Sequence, residues 1–263
     1  MGFVELAESA HADGTRPVRI HYREGGKGRP VVYLHGGWGY GVYPVDRQVE
    51  TFGRKVRFIV PDRSRYGHSA RVKGELPTDF HQRAAQETLA VLDALGIERA
   101  TFWGHSDGSV IAAMIGLAAP ERCERLVLEA FHFYRNKPNS RKFFERFSRH
   151  PEDLGDETQT LLAADHGEDW PEVVARNCGA WIRIGDGARP KSDDLYDGKL
   201  GQLRVPTVFV HGALDPRTEP GELDAVRKAL PGAEIRMVRS GQHSPHSEEM
   251  AWREFNGMVP ELS

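Results

Sequence analysis

The sequence predicts an α/β protein, with a largely parallel sheet covered by helices. Three observations carry that prediction. Short apolar runs with a β-branched bias alternate with stretches of helical period, residues 79–95 keep the cleanest helical spacing, and the stretch 131–203 breaks the alternation without offering a strand. An N-terminal pair of strands, 3–6 and 17–22, flanks the turn HADGT, and GGKGRP turns the second into a third at 31–34. Further strands fit 56–60, 100–103, 126–129, 207–210 and 233–238. In the helix over 79–95, Phe80, Ala84, Ala85, Leu89, Leu92 and Leu95 recur at near-helical spacing, and Gly96 ends it. A small-residue helix over 110–119 stops at Pro120, another over 220–230 stops at Pro231-Gly232, and a last one over 247–258 closes the chain. The 131–203 stretch carries Phe131, Phe143, Phe144, Phe147, Trp170 and Trp181, too many aromatics for a disordered segment. A helical lid, inserted within a single domain spanning 1–263, is the expected reading.

Composition narrows the function. Lys plus Arg number 35 against 38 for Asp plus Glu, giving a net charge of −3 and no basic surplus for phosphate backbones, so no nucleic-acid partner is expected. Apolar runs fall far short of the roughly 20 residues that cross a bilayer, so no membrane partner is expected either. The N-terminal MGFVELAESAHADG has acids where a signal peptide has positive charge, and Leu6 stands where a myristoylation motif wants Ser or Thr. Cys123 and Cys178 are far apart and outside any CxxC or zinc spacing, which reads as two reduced structural thiols in a cytoplasmic protein.

Between the strand at 100–103 and the helix at 110–119 lies WGHSDGS, residues 103–109. In a GxSxG pattern the two glycines, here Gly104 and Gly108, let a strand turn sharply into a helix and lift the serine clear of both. Alone, the pattern marks many ordinary turns. The strand before it and the helix after it make Ser106 the candidate nucleophile.

A serine hydroxyl needs a histidine to take its proton and an acid to fix that histidine's tautomer. Downstream, HGALDP places Asp215 just past a strand, and SGQHSPHSEE places His243 in the loop before the last helix. The order Ser, Asp, His is that of a known triad arrangement. Asp215-Pro216 is also a common turn former. His246 competes with His243 but reads as a helix-entry or surface histidine near the start of the last helix. Glu129, at the end of its strand, is a second candidate acid, with lining of the pocket beneath the lid as its favoured role. For the oxyanion, the backbone amides of Asp107 and Gly37 are expected, with Trp38 as alternative, because HGGWGYG follows a strand and its glycines permit a tight fold. Asp107 is assigned its role through the amide and not the carboxylate. Trp38, His105, Glu129, Phe131 and Trp181 are the expected substrate-binding residues.

These segments together resemble the α/β-hydrolase fold superfamily, in its lid-bearing branch of small bacterial esterases and carbon-carbon bond hydrolases. The resemblance covers nearly the whole chain and rests on HGGW at 35–38, DRSRYGHS at 62–69, GHSDG at 104–108, HGALDP at 211–216 and GQHSPHSE at 241–248. It implies an eight-stranded, mostly parallel sheet with the second strand antiparallel, a lid after the sixth strand, and the catalytic histidine at His243. Two departures stand out. Arg65 occupies a position that is usually glycine in a DxRGxGxS pattern, and Ser109 replaces a glycine common after the elbow.

The expected function is a serine hydrolase that cleaves a small-molecule carboxylic ester through an acyl-enzyme, with no cofactor and no metal. Carbon-carbon (vinylogous diketone), lactone or thioester hydrolysis on the same triad stays open, as does a non-hydrolytic receptor or cofactor-free oxygenase of this fold. Arg135, Lys137, Arg141, Lys142, Arg146 and Arg149 in the lid could favour an aryl or carboxylate-bearing substrate, but a solvated basic helix face is the favoured reading.

Overall fold

The structure, a computed structural model, describes residues 1–190 and 193–262. Eight strands form one sheet in the order β1-β2-β4-β3-β5-β6-β7-β8. They are β1 Gly2–Leu6, β2 Val18–Gly26, β3 Arg29–Leu34, β4 Val56–Pro61, β5 Ala100–His105, β6 Cys123–Glu129, β7 Thr207–Gly212 and β8 Glu234–Val238. β2 runs antiparallel to both β1 and β4, and every other pairing is parallel. All eight expected strands are present, and β2 runs further than expected, into the first glycines of GGKGRP.

The period-two pattern of the strands divides the core. Val32, Leu34, Phe102, Leu126, Leu128 and Phe209 face one layer, which contains α2 (Phe80–Ala94) and α3 (Asp107–Ala118). Val31, Tyr33, Trp103, Val127, Val208 and Val210 face the other, which is closed by Phe52 of α1 (Asp46–Phe52) and Phe255 of α8 (Trp252–Met258). β3 to β7 are buried on both faces over most of their length, so they read as near-continuous apolar runs. α1 was not expected from the sequence, although Val45, Val49 and Phe52 carry its spacing. The last helix is shorter than expected: residues 247–251 are largely turns, and α8 begins at Trp252.

Between β6 and β7 lie α4 (Arg141–Arg149), α5 (Asp156–His166) and α6 (Trp170–Gly187), where the expected lid falls. α4 packs on α6 through Phe144, whose ring stacks on Trp181 at 5.7 Å. α7 (Glu222–Ala229) joins β7 to β8. Among the described residues no helix is long and apolar enough to cross a membrane.

Arg65 adopts φ 80°, the left-handed region that favours glycine. Its guanidinium donates to the carbonyls of Val72, Lys73 and Gly74 and pairs with Asp13. The substitution therefore trades backbone ease for a side chain that ties two surface loops together.

Candidate active site

Ser106 sits at the junction of β5 and α3 with φ 53° and ψ −119°. Such a conformation is strained for a side-chain-bearing residue and persists only when its surroundings enforce it. The glycines around it explain how. A Cβ on Gly104 would lie 2.1 Å from the Gly108 carbonyl oxygen, and one on Gly108 would lie 1.8 Å from that of Leu34. Neither position tolerates a larger residue. Ser109 donates from its hydroxyl to the Ser106 carbonyl at 2.6 Å, which gives that departure a local structural role.

The end of β7 brings the acid. Asp215 accepts from the Arg217 backbone N–H at 2.8 Å and from the Thr218 hydroxyl at 3.2 Å. The His243 loop crosses over β7 at Gly212, where a Cβ would lie 1.9 Å from the Gln242 carbonyl oxygen. Glu248 fixes that loop by accepting the backbone N–H groups of Gln242 and Ser244, each at 2.7 Å. His243 Nδ1 then lies 3.0 Å from Asp215 Oδ1, and its Nε2 lies 3.0 Å from Ser106 Oγ.

Protonation follows from that geometry. Burial opposes ionisation of Asp215, but the His243 imidazole and the Arg217 amide outweigh it and hold the carboxyl below the ordinary range. An ionised Asp215 accepts from His243 Nδ1–H, leaving Nε2 to accept the Ser106 hydroxyl proton. The arrangement can deprotonate a serine as it attacks a carbonyl.

A second imidazole, not anticipated from the sequence, touches the same hydroxyl. His132 Nε2 lies 3.3 Å from Ser106 Oγ, and its ring stacks on His243 at 5.8 Å. Burial, and then the Lys137 charge, push His132 well below the ordinary imidazole range, so it is neutral at physiological pH. The serine proton is directed at His243, so His132 Nε2 carries a hydrogen and donates to Oγ, while its Nδ1 has no partner among the described residues. Glu222 holds the adjoining backbone by accepting from Phe133 N–H, Tyr134 N–H and the buried Lys137 ammonium. The available signal was position: His132 lies three residues past β6, at the carboxyl edge of a parallel sheet, where ligands bind.

A cavity of about 270 Å³ opens onto Ser106 and His243 and is lined also by Gly37, Trp38, Asp107 and Trp181. The expected oxyanion residues and two of the expected substrate-binding residues are thus brought together. Asp107 is the first residue of α3, so its N–H has no intrahelical carbonyl to meet. A larger hollow of about 490 Å³ between α2 and residues 195–199 contains neither Ser106 nor His243.

Several expectations are corrected. The Asp107 carboxylate is not idle: it accepts from His81 Nε2 at 3.0 Å, Asn177 Nδ2 at 2.6 Å and Trp181 Nε1 at 2.9 Å. His105 does not line the cavity but lies beneath it, with Nε2 at 3.0 Å from the His243 carbonyl oxygen and 3.1 Å from the Ser244 hydroxyl. Phe131 is core, stacked on Tyr196 at 5.3 Å. Glu129 is fully buried away from the cavity and accepts from Trp103 Nε1 at 3.1 Å and from the His246 backbone N–H at 3.1 Å.

His246 is likewise no surface residue. It is fully buried, with Nδ1 at 2.8 Å from Glu129 Oε1 and Nε2 at 3.2 Å from the Tyr33 hydroxyl. His105, Glu129 and His246 form the one grouping among the described residues whose ligand atoms, all within 4.8 Å, could hold a metal ion. The facing atoms of Glu129 and His246 are already bonded to each other, which makes the trio a strut under His243. The basic residues of the insertion are mostly paired on its own surface, Arg135 with Asp197, Arg141 with Asp186 and Arg146 with Asp153, whereas Lys137 is buried on Glu222.

Comparison with known proteins agrees with this fold. A family model described as the alpha/beta hydrolase fold matches residues 29–147. "Serine hydrolase BPHL" of Homo sapiens is 27% identical over 236 residues, covering 87% of this chain and 78% of that one. "Pimeloyl-[acyl-carrier protein] methyl ester esterase" of Nitrosomonas europaea is 27% identical, covering 86% and 93%. Among solved structures, a thermophilic esterase from Thermogutta terrifontis has a TM-score of 0.71 at 17% identity, covering 100% of this chain and 99% of that one. The chain has the α/β-hydrolase fold, and its likeness to these hydrolases and esterases supports an enzyme of the hydrolase class.

Proposed function

We propose that the protein is a serine hydrolase that cleaves a small-molecule carboxylic ester through an acyl-enzyme. The observation that carries this reading is the unbroken path from Asp215 through His243 to a strained Ser106, with both His243 contacts at 3.0 Å. In the first step Ser106 Oγ attacks the ester carbonyl while His243 Nε2 takes its proton. The amides of Asp107 and of Gly37 or Trp38 receive the developing oxyanion. His243 passes the proton to the leaving alcohol, and a water activated by the same imidazole then releases the acid and restores the serine. His132, a donor to Oγ in the resting site, holds the hydroxyl in line with the cavity.

We read residues 131–203 as a lid within a single domain, because Phe143, Phe144 and Trp181 from this segment wall the cavity above Ser106. Both cysteines are free and buried, in keeping with a reducing, cytoplasmic setting.

Hydrolysis of p-nitrophenyl butyrate tests the base. His243→Ala lowers kcat by about 10⁴-fold or more. His246→Gln, measured on the folded fraction, lowers it far less, because His246 acts only through the strut. An equal or larger loss at His246 contradicts the assignment.

A further inference from the structure

The cavity that holds Ser106 also holds one cation, and we propose that it receives a carboxylate: Arg217 binds a free acid on the substrate, so the ester cleaved carries a carboxylate on its acyl or alcohol portion. The proposal rests on the hydrolase reading for the bond broken, and on the following observations for the group bound.

Arg217 lies two residues past Asp215, and its side chain lines the same cavity as Ser106, His243 and Trp38. Its guanidinium carbon sits 3.5 Å from the centroid of the Phe143 ring, and Phe143 in turn stacks on Trp38 at 5.6 Å and 16°. These ring contacts restrain the guanidinium and spare a bound ligand part of the cost of ordering it.

Among the described residues that guanidinium makes no hydrogen bond and no ion pair; only the backbone N–H of Arg217 is engaged, by Asp215. This sets it apart from Arg135, Arg141 and Arg146 in the insertion, each paired with a carboxylate. The two acids near the cavity do not serve it. Asp215 is taken up by His243, Thr218 and the Arg217 amide, and Asp107 by His81, Asn177 and Trp181.

Burial lowers the pKa of Arg217 by more than the nearby Asp215 charge raises it, so the cation has lost part of its water without gaining a hydrogen-bonded partner. A ligand anion supplies that partner. The planar fork of five N–H donors fits a carboxylate through two parallel bonds, and a single guanidinium matches a single negative charge. A cavity of about 270 Å³ leaves space for a small acid-bearing ester.

The test measures binding and does not require turnover. Ser106→Ala protein is titrated by calorimetry with the monomethyl esters of succinate, glutarate and adipate and with the matching dimethyl esters, a series that spans different distances between ester and acid. The expected result is that at least one monomethyl ester binds about tenfold or more tightly than its dimethyl counterpart. In the Ser106→Ala background, Arg217→Gln abolishes that ratio and Arg217→Lys keeps part of it. The absence of any preference in the parent protein, or its survival in Arg217→Gln, overturns the proposal. Wild-type protein that hydrolyses none of the six esters while the binding preference holds contradicts the hydrolase reading and leaves the carboxylate site standing.

Discussion

Asp107 Oδ1 accepts a hydrogen bond from the Trp181 indole N–H at 2.9 Å, so the residue after Ser106 is joined directly to α6. Asn177, one turn earlier on α6, reaches the other carboxylate oxygen at 2.6 Å, and His81 of α2 completes the set. One buried carboxylate thus connects the nucleophile turn to α2 and to the inserted helices. Asn177 also occupies the space a side chain on Gly37 would need, with Oδ1 only 2.4 Å from where its Cβ would sit.

Replacing Asp107 by Asn is therefore costly although the shape is kept. An amide turns its own donors toward groups that already donate, leaving buried N–H groups without acceptors. We expect a loss of about 2 kcal/mol and a fall in Tm of about 5 °C. Thermal melts check this, and an unchanged Tm contradicts it.

His132 makes a different prediction, because it touches the reacting oxygen without serving as the base. His132→Ala removes one donor to Ser106 Oγ, and kcat/KM for an ester falls about fivefold to tenfold. His132→Gln, which can present an N–H, recovers part of the loss. The acid limb of the pH–rate profile stays where it is in both variants, because burial and the Lys137 charge disfavour protonation of His132. A displaced limb means that His132 titrates in the reaction.

Acid sensitivity follows from the buried imidazoles. His211, in β7, has no hydrogen-bond partner on either ring nitrogen among the described residues, and burial lowers its pKa from 6.5 to about 4. His35 and His105 are pushed well below 6.5 for the same primary reason. Below pH 6.5 the unfolded chain binds protons that the folded protein refuses. Their contribution is therefore fully present above that pH and is lost as pH falls toward 4, with His211 alone accounting for about 3 kcal/mol. Tm measured from pH 7.5 to 4.5 should fall steadily below 6.5, with a shallower slope in His211→Gln. An identical slope in that variant removes His211 from the explanation.

What could be read from the sequence was local. Gly104, Ser106 and Gly108 lie within five residues, so their clash-avoiding turn leaves its mark in a short motif, and the short apolar runs of β3 to β7 mark strands buried on both faces. What stayed hidden depends on partners far apart in the chain. Glu129 and His246 are 117 residues apart, and the first reads as a pocket-lining acid and the second as a helix-entry or surface histidine until the fold joins them in the core. His105 ends β5 and Phe131 follows β6, yet a strand's end has two faces, and packing decides which one meets the cavity. Arg217 was overlooked beside Asp215, and its importance depends on Phe143 from the inserted helices.

The central claim is that Ser106 is a nucleophile activated by His243. Intact-protein mass spectrometry after brief exposure to a fluorophosphonate tests it most directly. The account predicts a single adduct on wild type that maps to Ser106, none on Ser106→Ala, and labelling slowed by orders of magnitude in His243→Ala. An unlabelled wild type, or equal labelling of Ser106→Ala, contradicts it.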